Sequence, residues 1–198
     1  LYASMPNYPA RGDIASAKAL LDSAGIKPDA NGVRIRAILD LIPYGEDWRR
    51  AGEYLKQVLG DIGIKLELRY EDVPTWLKRI YHNYDFVMNV NYFYQLPDPV
   101  LGVHRHYGTD QIRKGTHFVN SSRYSNSELD ELLASGATEA NAQKRTQIYK
   151  KIQEILARDM PVVNLFELQF LTVYNTKLKG AYNSALGAYA SFSEAYLD

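Results

Sequence analysis

Hydrophobic positions along this chain switch repeatedly between a helical period and strict alternation. Ile14, Ala17, Leu20, Leu21 and Ala24 recur at helical spacing behind Asp13, a residue type that caps helices, and Gly25 stops the run. Asn31-Gly32 then marks a turn, after which Val33, Ile35, Ala37, Leu39 and Leu41 alternate as strand residues do. Pro43, Tyr44 and Gly45 break that strand, and Asp47 is the predicted cap of a second helix. Its apolar face carries Trp48, Ala51, Leu55, Leu59 and Ile62. Past Gly63 a second strand alternates Ile64, Leu66, Leu68 and Tyr70 with charged residues. Pro74 opens a short helix through Trp76, Leu77 and Ile80, and Asp85 to Asn91 reads as a third strand.

The order is β-α-β-α-β with short connections, which favours a parallel sheet with right-handed crossovers. Tyr92 to Arg123 follows as a long stretch rich in Gly, Pro, His and Tyr, without a sustained period. Irregular excursions of this length inside compact domains are commonly functional. Ser125-Asn126-Ser127-Glu128 has a capping-box pattern and opens a helix with Leu129, Leu132 and Leu133 inward; Ile148, Tyr149, Ile152, Ile155 and Leu156 line another that ends before Pro161. Val162 to Tyr174 is the longest strand candidate. Asn175 to Asp198 is rich in Ala, Ser and Tyr and only weakly periodic. Such a segment is either packed on its own domain or a return toward a second lobe.

Composition narrows the function. Among 198 residues, 23 Lys and Arg balance 23 Asp and Glu, which disfavours a strongly basic nucleic-acid binder or a polybasic membrane protein. With no Cys, a disulfide framework, a thiolate zinc site and a cysteine nucleophile are excluded. No apolar run approaches the ~20 residues that span a bilayer. The N-terminus lacks a Met and is polar, as expected for a piece of a longer protein. No GxGxxG, P-loop, HExxH or GxSxG motif is present, so the usual phosphate, zinc and hydrolase signatures are missing. His104 and His106 could point the same way from an extended segment, but Arg105 between them opposes a cation and no third ligand follows at a recognisable spacing. Neither a metal nor another cofactor is expected.

The segment Asn91-Tyr92-Phe93-Tyr94-Gln95-Leu96-Pro97-Asp98-Pro99 lies directly past the third strand. The carboxyl edge of an open parallel sheet is where ligands bind. Three consecutive aromatics cannot all point inward from a strand, so some face solvent, ligand or a partner. Tyr is 16 of the 24 aromatic residues, and its flat ring with a polar tip suits such a surface.

Several short patterns carry a family resemblance over about nine-tenths of the chain. They are Ala17-Lys18-Ala19-Leu20-Leu21-Asp22-Ser23-Ala24-Gly25, Leu59-Gly60-Asp61-Ile62-Gly63-Ile64-Lys65, and Tyr84-Asp85-Phe86 leading to Pro97-Asp98-Pro99. Asn120 and Tyr124 to Leu132 follow, then Arg145, Tyr149, Gln153, Ile155, Leu156, Asp159 and Pro161. In this order they resemble the C-terminal lobe of the peptide/nickel-type, family 5 extracytoplasmic solute-binding proteins of ABC importers.

The resemblance implies an α/β fold: a mainly parallel sheet flanked by helices, forming one lobe of a two-lobed periplasmic-binding-protein type II clamp that closes about a hinge. Residues 1–174 would form the C-terminal ligand-binding lobe, and 175–198 a return segment toward the N-terminal lobe. The expected function is solute capture for an ABC importer of peptides or related small solutes, outside the cytoplasm in the periplasm or lipid-anchored. Its partners would be the ligand, the permease's transmembrane subunits and the N-terminal lobe, with no nucleic acid and no catalysis. In peptide-binding members an Asp three residues before the Asp-Pro pair takes the peptide's ammonium group; here that position is Gln95. Tyr92 stands where Trp is usual, and Asn91 and Phe93 map onto cleft-lining positions. The ligand set implied is therefore Asn91, Tyr92, Phe93 and Gln95, for an uncharged or hydroxyl-rich ligand or a peptide held differently. A ligand-sensing domain of a transcriptional regulator would share this fold. A small α/β hydrolase is disfavoured by the missing nucleophile–base motif.

Overall fold

A computed structural model describes residues 12–95, 98–169, 171–182, 184, 186 and 189–198. Two compact units divide at Pro161 and Val162.

In the first unit, α1 (Ile14–Ser23) begins where Asp13 Oδ1 accepts the Ser16 N–H at 2.9 Å, as the sequence predicts. β1 (Ile35–Leu41) is followed by α2 (Glu46–Gly60), and β2 (Ile64–Arg69) by α3 (Val73–Leu77). β3 (Met88–Val90) completes a parallel sheet in the order β2-β1-β3, with Leu39 opposite both Leu68 and Met88. Two crossovers therefore place the first strand in the centre, and its last residues Leu39, Asp40 and Leu41 are buried. Trp48 and the close-packed Gly52 of α2 lie over this strand: a Cβ at Gly52 would run into the Leu41 side chain and force it to shift. Trp76, Ile80 and Tyr81 fill the same core.

Several boundaries differ from expectation. Gly45, at φ 111°, is the N-cap of α2, and Asp47 sits inside its first turn. Its negative charge still opposes the positive helix end, which is why cap and first-turn positions are hard to separate by residue type. The third strand is shorter than the predicted Asp85 to Asn91. It starts late because α3 runs into a wide turn over Lys78–Asn83 that ends at Tyr84 in the left-handed conformation, φ 52°. The long irregular stretch contains one short helix, α4 (Val103–Tyr107), between two single 3-10 turns.

α5 (Ser127–Thr138) and α6 (Ala142–Asp159) pack together through Leu129, Leu133, Ile152 and Ile155. The cap of α5 is Asn126, whose Oδ1 accepts the Leu129 N–H at 3.1 Å, one residue later than the Ser125-based box would place it. Asn126 is favoured because its Nδ2 also donates to Asp159 Oδ2 at 3.0 Å, joining the start of one helix to the end of the other. Tyr124 Oη donates to the same carboxylate at 2.5 Å. Arg158 adds its guanidinium to Asp159, and these contacts together hold that carboxyl below its ordinary range.

The second unit contains a short antiparallel pair, β4 (Leu178–Lys179) and β5 (Tyr196–Leu197), with Tyr182 between Tyr174 and Phe192. The predicted strand over 162–174 does not form among its described residues. They form no ladder, and Leu171 and Val173 are 90% and 96% exposed. An isolated strand cannot satisfy its own backbone groups, so alternation alone leaves it unpaired.

Candidate functional site at the carboxyl edge of the sheet

The loops that leave the carboxyl ends of β1 and β3 build an aromatic shelf. Tyr92, two residues past β3, lies almost parallel to the Trp48 ring at 5.6 Å with an interplanar angle of 27°. The edges of Tyr44 and Tyr94 meet it at 5.9 Å each, at 65° and 66°. Trp48 is buried beneath, whereas Tyr44 and Tyr94 are 42% and 40% exposed. Aromatic pairs in these offset and edge-on arrangements stabilise one another by about 0.5–1.5 kcal/mol beyond area burial. The shelf is thus preorganised and presents flat apolar faces next to phenolic hydroxyls.

Asn91 braces the shelf from inside. Its Nδ2 donates to Tyr81 Oη at 2.7 Å, while its Oδ1 accepts the Tyr92 N–H at 2.8 Å. Burial pushes the Tyr81 phenol up to about 12, so it stays protonated across the physiological range. Asn91, predicted as a contact residue, acts in this geometry by fixing the backbone from which Tyr92 projects.

Phe93 turns away from Tyr92, as alternation requires, and packs on His106 with ring centroids 3.8 Å apart. Gln95 is exposed and lies over Gly102, where a Cβ would overlap its Oε1. Leu96 and Pro97 fall outside the described residues. Asp98 caps the following turn through the Val100 N–H at 2.9 Å and pairs with Arg145 Nη2 at 2.7 Å. The Arg145 guanidinium holds the Asp98 carboxyl below its ordinary value, and the pair ties the end of the rim segment to α6. Of the predicted residues, Gln95 is exposed and Asn91, Tyr92 and Phe93 are each half-buried.

Tyr44, Trp48 and Tyr81 were not among the sequence-predicted site residues. The signal for Tyr44 was present, since it follows the end of β1 and the carboxyl edge is the binding edge. Beside the shelf, a cavity of about 420 Å³ opens at the ends of β1 and β2, lined among others by Ile42, Arg49, Tyr70 and Glu71. The Arg49 guanidinium lies 4.4 Å from the Tyr70 ring centre. Below it, buried Asp40 accepts Arg69 Nε at 2.6 Å and Nη2 at 2.9 Å, and Arg79 links Glu71 and Asp85 to the same cluster.

The two histidines read as a pair on an extended segment both lie in α4, two residues apart on different sides of the helix. His104 Nε2 meets Asp110 Oδ1 at 2.8 Å, whereas His106 is 3% exposed. Neither ring nitrogen of His106 has a hydrogen-bond partner. A two-residue step on a helix turns side chains by about 200°, which is why the extended reading fails. Burial, with Arg105 adding repulsion, lowers the His106 imidazolium from 6.5 to about 4. Between those values the unfolded chain binds the proton and the folded chain does not, so folding stability rises with pH there. Lowering the pH from 7 to 4 is expected to remove up to about 3 kcal/mol through this residue. Urea denaturation across that range checks it: His106→Leu should flatten the dependence relative to the parent.

Among the described residues no helix is long and apolar enough to cross a membrane. Residues 1–114 match the model of the bacterial extracellular solute-binding proteins, family 5 Middle. The peptide transport periplasmic protein SapA of Haemophilus influenzae is 24% identical over 151 residues, which are 74% of this chain and 26% of that protein. A putative peptide binding protein, AppA, of Clostridium difficile superposes with a TM-score of 0.72 at 26% identity, over 94% of this chain and 37% of its own. The oligopeptide-binding protein of Thermotoga maritima, solved with mannohexaose bound, gives 0.64 at 25% identity, over 78% of this chain and 31% of its own. The chain thus spans about a quarter to two-fifths of these proteins. The observed α/β architecture with a parallel three-stranded sheet is that of the periplasmic-binding-protein type II fold, as expected. With more than half of its length matched, the chain belongs to the family 5 bacterial extracellular solute-binding proteins.

Proposed function

We propose that this chain is the ligand-gripping part of a solute-capture protein serving an ABC importer of peptides or related small solutes. The observation that carries it is the shelf of Tyr44, Trp48, Tyr92 and Tyr94 at the carboxyl edge of a parallel sheet, in a chain of this family. Residues 1–174 supply the C-terminal lobe, and 175–198 return toward an N-terminal lobe that covers the ligand from the other side. The exposed side chains of Val163, Leu165, Leu171 and Val173 support a second body there, because apolar surface gains from being covered. Ligand stabilises the closed over the open arrangement by its differential affinity, with no bond made or broken. The closed form then docks on the permease's transmembrane subunits in the periplasm.

Tyr92 stacks on ligand, Gln95 hydrogen-bonds it, and Asn91 and Phe93 hold these two in place. Gln95 is neutral, so a peptide ammonium gains no ion pair at this position. Flat aromatic faces beside hydroxyls fit an uncharged or hydroxyl-rich ligand, or a peptide gripped elsewhere. Calorimetry on the full-length protein tests this with three probes: a dipeptide, the same dipeptide N-acetylated, and a neutral oligosaccharide. N-acetylation is expected to leave peptide affinity unchanged within twofold. Tight dipeptide binding that vanishes on acetylation would overturn the assignment of Gln95.

A further inference from the structure

His82 and His117 are 35 residues apart, yet their Nε2 atoms lie 3.2 Å from each other, with ring centres 5.4 Å apart and planes at 56°. The fold brings them together by a specific device. The turn after Arg113 docks on the end of the wide turn over Lys78–Asn83 through the Gly115 N–H, which donates to the Tyr81 carbonyl at 2.8 Å. Gly115 has φ 87°, and a Cβ there would already touch the His82 ring at 3.5 Å. The His117 ring rests at 5.8 Å on Tyr81, a fully buried core residue. Both imidazoles are exposed, but each stands on a fixed base.

We propose that His82 and His117 form a two-histidine site for a first-row divalent ion of the zinc, nickel or copper type. Nitrogen–metal bonds of about 2.0–2.1 Å at a tetrahedral angle place two ligating nitrogens roughly 3.3 Å apart, which matches the observed separation. As it stands the contact is an N–H···N hydrogen bond between opposite tautomers, and its 3.2 Å is at the long end for such a bond. An ion uses both Nε2 lone pairs: the donor ring carries its proton on Nδ1 instead, the rings pivot slightly, and no net proton is released. Imidazole suits these metals rather than magnesium or calcium. Among the described residues no third His, Asp or Glu joins the pair, so the remaining positions take water or the donor atoms of a small chelator. Arg113, in the adjacent turn, is engaged by Asp110 through its Nε at 2.9 Å from the carbonyl and its Nη2 at 3.7 Å from the carboxylate.

Titration of the untagged chain with zinc chloride and nickel chloride, followed by calorimetry, tests the site. One ion per chain is expected, with affinity weakened at least tenfold in His82→Ala and in His117→Ala and unchanged in His104→Ala. Zinc should also shift the ring ¹⁵N resonances of His82 and His117 together in the unmutated chain, a readout that does not depend on any variant folding. Absence of binding at millimolar metal would overturn the proposal. So would binding that survives the double substitution, or resonance shifts on histidines other than this pair.

Discussion

Replacing Asp40 by Ala is expected to destabilise the first unit by about 3–5 kcal/mol, the range for removing one partner of a buried ion pair. Asp40 is fully buried on the central strand, and its carboxylate accepts from both Nε and Nη2 of Arg69, while the Asp85 carbonyl gives Nη2 only a longer contact at 3.5 Å. Without it the guanidinium, about a quarter exposed, loses two short charge-assisted bonds and must either reach water or drag β2 with it. Arg79 loses its link to β1 as well, although Glu71 retains it. Chemical denaturation of the variant checks the size. Asp40→Asn should cost less, because its carbonyl keeps one of the two hydrogen bonds. A double change of Asp40 and Arg69 to apolar residues of similar volume should recover most of the loss, since desolvation of both charges is then avoided. Equal destabilisation by the single and double variants would show that the pair's electrostatics are not what matters.

Trp76→Ala should cost about 3–5 kcal/mol, the range for truncating a large aromatic in a packed core. The ring is 1% exposed and meets Tyr81 edge-on at 5.9 Å. Its consequences should extend beyond stability. Tyr81 positions Asn91, and Asn91 holds the Tyr92 backbone, so a cavity at Trp76 loosens the shelf through two hydrogen bonds. The expected result is a drop in melting temperature together with faster amide exchange at Tyr92. Trp76→Phe, which keeps the edge-on contact and most of the volume, should restore the exchange protection. Destabilisation with unchanged protection at Tyr92 would separate the core from the rim.

Alternating and helical periods were enough to place α1, α2, α5, α6 and the three parallel strands, although α1 buries no residue and the central strand is buried at the consecutive residues Leu39, Asp40 and Leu41. Asp13 was legible as a helix start for a local reason: a cap needs only its own side chain and the next turn's N–H groups, whereas the cap of α5 fell on Asn126 and not Ser125 because Asn126 also bonds Asp159 of α6. Asn91, Tyr92, Phe93 and Gln95 were legible as a candidate rim, since a run of aromatics past a strand end cannot all be hidden by alternation. Periodicity failed where a partner is required. Residues 162–174 are the longest strand candidate in the chain and form no ladder among the described residues, because pairing is a property of two segments.

One-body properties are written in the chain: which face of a segment is apolar, where it turns, and that the β-α-β order makes the sheet parallel. Packing between segments decided that Trp48 and Tyr44 join Tyr92 in the shelf and that Asp98 is clamped by Arg145. It also split His104 from His106 and joined His82 to His117. The physical reason is the range of the interactions. Hydrophobic periodicity is written within a few neighbouring residues, whereas an ion pair, a ring stack or a shared proton depends on angstrom-scale distances between segments that only packing brings together.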